Sequence, residues 1–213
     1  MPTIEVDVHD LETLAGKRLP RTRPALDDTL LLVKGEIDAL EGNRLRLDLK
    51  DSNRPDLLST EGIARELRAR MGVEKGIPAY KTVRGKHEIV IEKTVEKSRP
   101  FIACGIARNV KASESFLLQM IQLQEKIGAT FGRRRKETGI GLYDWDKMKP
   151  PLKYIGVHPT AVKFAPLSFE TPMTLKEILE RHPKGIEFGH LVRDKEYYPL
   201  IVDAAGEVCS FPP

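Results

Sequence analysis

Cysteine is scarce in this chain, tryptophan occurs once, and no long apolar run is present. The two cysteines, Cys104 and Cys209, have no cysteine or histidine at metal-ligand spacing. That excludes a disulfide scaffold and a zinc module, and suits a reducing compartment. No stretch approaches the ~18 consecutive apolar residues that a membrane span requires. The opening "MPTIEVDVHD" lacks the basic and apolar regions of a secretory signal. A cytoplasmic protein without a membrane partner is therefore expected. An excess of either charge is also missing, with 35 basic against 31 acidic residues and a net charge of +4. Such a balance permits a nucleic-acid partner without demanding one, because affinity follows clustered rather than average charge. No Gly-rich phosphate loop precedes a helix, "GIG" at 139–141 lacking the rest of any nucleotide fingerprint. No serine sits in a nucleophile elbow.

What remains is an ordinary globular composition, 40% hydrophobic and 31% charged over 213 residues. That length suits one large domain or two of roughly 100 residues. "IEVDVHDLETLAG" predicts a strand and then a helical turn capped by Asp10 and stopped by Gly16. A helix is predicted over Pro24–Lys34 with Gly35 as its stop, followed by a β-hairpin about Glu41-Gly42-Asn43. Leu45, Leu47 and Leu49 would share one strand face. "EIVIEKTV" and "FIACGIARNV" predict strands, and Ser113-Glu114 opens a helix carrying Phe116, Leu117, Met120, Ile121, Gln124 and Ile127. Thr174 and Glu177 have the spacing of a capping box. The tail "YYPLIVDAAGEVCSFPP" reads as a second hairpin. A domain boundary is placed at residues 90 to 96.

The stretch "DSNRPDLLSTEGIAREL" (51–67) enters a helix through six candidate turn-formers in a row, Asp51 to Asp56. Pro55 biases Arg54 to extended backbone and suits a helix's first turn. Ile63, Leu67 and Met71 form a stripe ended by Gly72, so a helix over 56–71 is expected. Asp56 is its expected cap, and Glu61, Arg65 and Glu66 are expected to be solvated.

Chemistry-bearing patterns are few. The run Arg133, Arg134, Arg135 and Lys136 after Gly132 is the densest positive cluster. It suits phosphate contact or, equally, a solvated helix end favoured by the helix dipole. Asp144 and Asp146 flank the single tryptophan, Trp145, and point the same way if extended, as a metal or acid–base pair requires. Without a third ligand nearby, two turn-forming aspartates around a packed tryptophan explain them better. The five histidines are scattered and none is assigned as a base. Ser210 ends a strand before Pro212-Pro213, where its hydroxyl either reaches a pocket or satisfies a neighbouring backbone group.

"SNRPDLLSTEGIAREL", "FGRRRK", "HPTAVKFAPL", "MTLKEILERHPKG" and "YPLIVDAAGEVCSFPP", in this order, resemble the phenylalanyl-tRNA synthetase beta subunits of the archaeal and eukaryotic type. The resemblance runs from Ile4 to Pro213. It implies an α+β chain, with a small mixed α/β structural and assembly domain over residues 1–90. Part of an editing domain with a mixed β-sheet would follow over residues 91–213. The family's editing domain hydrolyses tyrosine wrongly attached to phenylalanine tRNA. Its catalytic alpha subunit uses ATP and magnesium, with no cofactor expected in this chain, in an α2β2 heterotetramer. Carried over to this sequence, Leu200 shapes the aromatic editing pocket and Ser210 offers its polar contact. The run Arg133–Lys136 becomes a candidate tRNA contact. The family's acidic residue and threonine lie beyond the position of Pro213, so an editing domain cut short is expected and no catalytic residue is assigned. A binding module of the same fold without hydrolysis, and a metal enzyme at Asp144 and Asp146, stand as alternatives.

Overall fold

Ile4 and Val6 alternate with charged neighbours in β1 (Thr3–Asp7), and both are buried. The computed structural model describes residues 2–50, 53–77, 79, 81 and 83–213. Two compact units emerge from its packing: Met1–Lys81 with Lys111–Ile140, and Thr82–Val110 with Gly141–Pro213. Residues 111–140 thus pack with the N-terminal unit, on the far side of the sequence boundary at 90 to 96.

In the first unit, β1 is followed by α1 (Val8–Ala15) and α2 (Arg23–Leu31). The hairpin of β2 (Gly35–Glu41) and β3 (Arg44–Leu49) comes next, then α3 (Thr60–Arg70) and α4 (Glu114–Ala129). The sheet order is β1-β3-β2, all antiparallel, with Ile4 opposite Leu47 and Val6 opposite Leu45. Gly42 takes φ +59° in the two-residue turn, a conformation glycine adopts without steric cost. Leu45, Leu47 and Leu49 lie fully buried on one face, as the alternation predicts, each such burial being worth about 1.5–3 kcal/mol. Leu11, Leu26, Leu30, Ile63 and Leu67 cover them, and Leu123 and Ile127 of α4 pack against the same core. The α4 helix also finishes the sheet edge. Gln122 donates to the Glu5 carbonyl at 2.9 Å and accepts from the Glu5 N–H at 2.7 Å, as a neighbouring strand would.

Three expectations are corrected in this unit. Helix α1 is capped by Asp7, whose Oδ1 accepts from the Asp10 N–H at 2.9 Å, because the helix begins directly at the strand's end; Gly16 does stop it, at φ +68°. Helix α2 ends at Leu31, Lys34 takes the left-handed turn at φ +58°, and Gly35 opens β2. The expected helix over 56–71 is two pieces. Pro55–Leu58 makes one 3-10 turn that buries Leu57 and Leu58, Ser59 returns to extended backbone at φ −137° and ψ 154°, and α3 starts at Thr60.

In the second unit, β4 (Ile89–Ile91) runs parallel to β5 (Leu152–Val157). The pair β6 (Lys163–Phe164) and β7 (Met173–Thr174) leads into α5 (Leu175–Arg181) and α6 (Pro183–Phe188). Strands β8 (Tyr198–Val202) and β9 (Val208–Ser210) complete a mixed sheet of order β4-β5-β8-β9. The chain is therefore α+β with a mixed sheet. The capping box at α5 is complete, Thr174 and Glu177 each satisfying the other's backbone N–H. The expected strand at "FIACGIARNV" is absent among the described residues. Phe101 stands 92% exposed, and β5 already has β4 and β8 on its two sides.

Candidate functional site

The β8–β9 hairpin is built around a buried carboxylate. Asp203, 4% exposed, accepts from the N–H groups of Ala205 at 2.8 Å, Glu207 at 3.0 Å and Lys149 at 3.2 Å. Burial opposes its charge, but those backbone donors more than offset it and hold its carboxyl below the ordinary value. Gly206 at φ +82° closes the turn. With the hairpin fixed, Phe211 stacks on Tyr198 at 6.0 Å between ring centroids and 14° between planes.

Ser210, the last residue of β9, lies on the wall of a cavity of about 240 Å3. Its apolar lining comes from Phe164 of β6, Leu167, Ile178 and Leu179 of α5, Phe188 of α6, and Phe211. Gly185 lets the two short helices close on each other, since a Cβ there would lie 2.0 Å from the Ile178 carbonyl oxygen. The Ser210 Oγ accepts from the Tyr143 hydroxyl at 2.6 Å, which leaves the serine proton directed elsewhere. His182 also lines the cavity. Its Nδ1 accepts from the Lys184 N–H at 3.2 Å, so Nε2 carries the proton, 3.2 Å from the Leu167 carbonyl. Both ring nitrogens are thereby engaged. A mostly apolar box whose wall also carries Ser210, His182 and Lys184 is suited to an aromatic ring bearing a polar group.

Leu200 is fully buried in the core shared by Ile178, Leu179, Phe164 and Phe211, which backs the cavity rather than facing it. The structure thus brings Ser210 to the cavity and keeps Leu200 behind its wall. The basic run lies in the other unit. Arg133, Arg134 and Arg135 take positive φ of 47°, 55° and 62°, winding back so that the Gly132 and Arg135 N–H groups satisfy the last carbonyls of α4. Arg135 is held to Glu125 at 2.8 Å with its side chain 17% exposed, while Arg133 reaches Glu137 at 3.5 Å and stays solvated. Asp144 caps the short turn Trp145–Lys147, accepting from the Asp146 N–H at 3.2 Å, and lies 3.6 Å from the Lys147 ammonium. That is the turn-forming role, not a paired metal site. Among the described residues, no group of three or more His, Cys, Asp or Glu side chains is placed to hold a metal ion. Among the described residues, no helix is long and apolar enough to cross a membrane.

The crowded entrance at 51–56 has a structural answer. Asp51 and Ser52 lie outside the described residues. Ser59 is the true cap of α3, its Oγ accepting from the Gly62 N–H at 3.0 Å and donating to the Asp56 carbonyl at 3.0 Å. Asp56, expected as the cap, is instead the centre of an ion-pair network. Arg54 grips it at 2.8 and 2.9 Å and Arg65 at 2.8 Å, while Arg54 also meets Glu66. Hydrogen bonding from Arg54, and then from Arg65, lowers the Asp56 carboxyl to about 2. Arg70 and Arg54 lower that of Glu66. Arg65 and Glu66 are therefore paired rather than merely solvated.

Sequence reasoning missed Tyr143 and His182. Both lie far along the chain from Ser210, and although His182 falls within "MTLKEILERHPKG", nothing in that stretch ties it to Ser210.

No family model matches the chain. Its relatives nonetheless define a class, the beta subunits of an aminoacyl-tRNA ligase. The chain is 44% identical over 217 residues to the phenylalanine–tRNA ligase beta subunit of Pyrococcus horikoshii, covering 100% of this chain and 38% of that protein. It is 45% identical to the beta subunit of Thermococcus gammatolerans over the same shares. The crystal structure of an N-terminal fragment of the phenylalanyl-tRNA synthetase beta subunit from Pyrococcus horikoshii matches all of this chain and 61% of the solved one, with a TM-score of 0.93 and 44% identity. The chain belongs to the phenylalanine–tRNA ligase beta-subunit family and corresponds to its N-terminal part. It spans 38% of the length of the curated relatives it matches.

Proposed function

We propose that residues 91–213 form part of an amino-acid editing domain that releases tyrosine from mischarged phenylalanine tRNA. Residues 1–90 are its structural and assembly domain. The subunit then serves protein biosynthesis in the cytoplasm as one half of an α2β2 ligase. Activation of phenylalanine with ATP and magnesium belongs to the alpha subunit.

The observation that carries this reading is Ser210 on the wall of a predominantly apolar cavity, whose other polar lining residues are His182, with both ring nitrogens engaged, and Lys184. A site that hydrogen-bonds a phenolic hydroxyl strands buried polar groups when phenylalanine enters, and such sites discriminate by about 10⁴ or more. Ser210 meets the tyrosyl group, Tyr143 orients Ser210, and Leu200 supports the wall from behind. Arg133, Arg134 and Lys136 are the exposed members of the run that would face tRNA phosphates, and Arg135 anchors the loop to Glu125. The ester is cleaved by a positioned water.

A second reading, a tRNA- or protein-binding module without hydrolysis, draws on His182. Both of its nitrogens are engaged, so it is not poised as a base. Deacylation of tyrosyl- and phenylalanyl-tRNA for phenylalanine, measured side by side, separates the readings. Editing releases tyrosine far faster than phenylalanine. A binding module binds both tRNAs and releases neither above the spontaneous rate.

A further inference from the structure

Within the second unit, away from Ser210, the backbone before β4 and the segment about Cys104 enclose an open cleft of about 730 Å3. That volume lies in the range of small-molecule sites, roughly 300–1,000 Å3. Three cations line it, Arg84, Lys86 and Arg108, against one carboxylate, Glu88. Gly85 and Gly105 also line it, and a Cβ added to either would meet nothing within 4 Å, so the space beside the backbone is open. Trp145 contributes its indole to the wall. His87 stands edge-on to that indole, ring centroids 4.8 Å apart at 62°, and its Nε2 lies 3.2 Å from Arg108 Nη2. Because the guanidinium can only donate, that nitrogen is the acceptor, and His87 ties Arg108 to the aromatic wall.

A flat aromatic wall beside clustered cations matches one ligand chemistry, a planar base joined to a phosphate. Stacking on an aromatic side chain is tolerant of base identity, and cations follow the backbone. A purely anionic ligand would leave the indole without a role, and an apolar one would leave three cations facing it.

We propose that this cleft binds a nucleotide of single-stranded RNA, with Trp145 stacking on the base and Arg84, Lys86 and Arg108 taking the flanking phosphates. The assignment rests on the RNA partner of the reading above but not on hydrolysis, since uncharged RNA suffices to occupy the site.

Trp145 is the only tryptophan, so fluorescence excited selectively at the indole reports this cleft alone. The test titrates the 213-residue chain with a hexa-adenylate, with AMP and with inorganic phosphate. Anisotropy of a labelled oligomer follows binding independently. Saturable quenching by the hexamer is expected, with weaker quenching by AMP and none by phosphate. The exposed pair Arg84→Ala with Lys86→Ala should weaken the hexamer at least ~10-fold and reduce the salt slope by ~1.4, for two phosphate contacts on a single strand. Followed by anisotropy, Trp145→Phe should retain binding and Trp145→Leu lose it, with both melting cooperatively. RNA should also slow alkylation of Cys104, which lines the same cleft. Equal affinity for AMP and the hexamer would overturn RNA as the source of the nucleotide. Anisotropy showing RNA bound without quenching or Cys104 protection would overturn the site while leaving tRNA binding elsewhere intact. No RNA binding by either readout would count against both this site and the tRNA reading.

Discussion

The Tyr143 hydroxyl donates to Ser210 Oγ at 2.6 Å across 67 residues of sequence. An exposed loop residue thereby sets the direction of the one hydroxyl that β9 presents to the cavity. Tyr143→Phe removes that donor and keeps the ring. A net hydrogen bond of about 1 kcal/mol corresponds to a roughly fivefold slower release of tyrosine. The melting temperature should hardly change, because Tyr143 is 48% exposed. A Tyr143→Phe enzyme that edits at the native rate would separate the tyrosine from the site.

Ser59, not Asp56, caps α3, and the two substitutions should differ accordingly. Ser59→Ala loses the acceptor for the Gly62 N–H and the donor to the Asp56 carbonyl, in a residue only 6% exposed. Urea unfolding should show a loss of about 1–2 kcal/mol. Asp56→Asn disturbs partly exposed ion pairs and should cost less, below about 1 kcal/mol. The reverse order would restore Asp56 as the cap.

The network about Asp56 also makes stability depend on pH. Its folded carboxyl titrates at about 2 against an ordinary 3.8. A depressed folded pKa means that the unfolded chain binds protons first, so the stabilisation is present above 3.8 and fades as pH falls towards 2. Glu66, lowered by Arg70 and Arg54, acts in the same direction. Denaturant midpoints taken between pH 5 and pH 2 should fall more steeply for the native chain than for Asp56→Asn.

Helix propensity favours alanine over glycine by about 1 kcal/mol, so Gly62→Ala in α3 would ordinarily stabilise. Here a Cβ would lie 1.8 Å from the Asp56 carbonyl oxygen and 2.5 Å from its carbonyl carbon. The 3-10 turn of Pro55–Leu58 crosses the helix at that point, and backbone cannot yield as a flexible side chain does. Gly62→Ala should lower stability by more than about 2 kcal/mol in the same urea assay. A stabilised variant would mean that the turn moves aside at little cost.

Local signals were read correctly where one signal acted alone. The leucine alternation of β3, the glycine of its turn, the serine opening α4 and the capping box of α5 each had a single interpretation. Competition defeated the reading elsewhere. Around residues 56–60 both Asp56 and Ser59 had cap chemistry, and burial of Leu57 and Leu58 in a separate turn decided between them. "FIACGIARNV" has strand composition, but a strand needs a partner edge, which composition cannot supply. Ser210 was found through resemblance and reached a cavity. Leu200, found the same way, lies behind that cavity's wall. Tyr143, His182 and the cations around Trp145 depend on long-range packing, and nothing in their spacing announces it.

The most direct measurement is the time course of tyrosine release from tyrosyl-tRNA for phenylalanine by the beta subunit assembled with its alpha partner, native and as Ser210→Ala. The expected result is rapid release by the native enzyme, slowed about 10-fold or more in Ser210→Ala, with melting temperature and phenylalanine attachment unchanged. Release at the native rate from Ser210→Ala would contradict the account and place the tyrosine elsewhere than in the cavity beside β9.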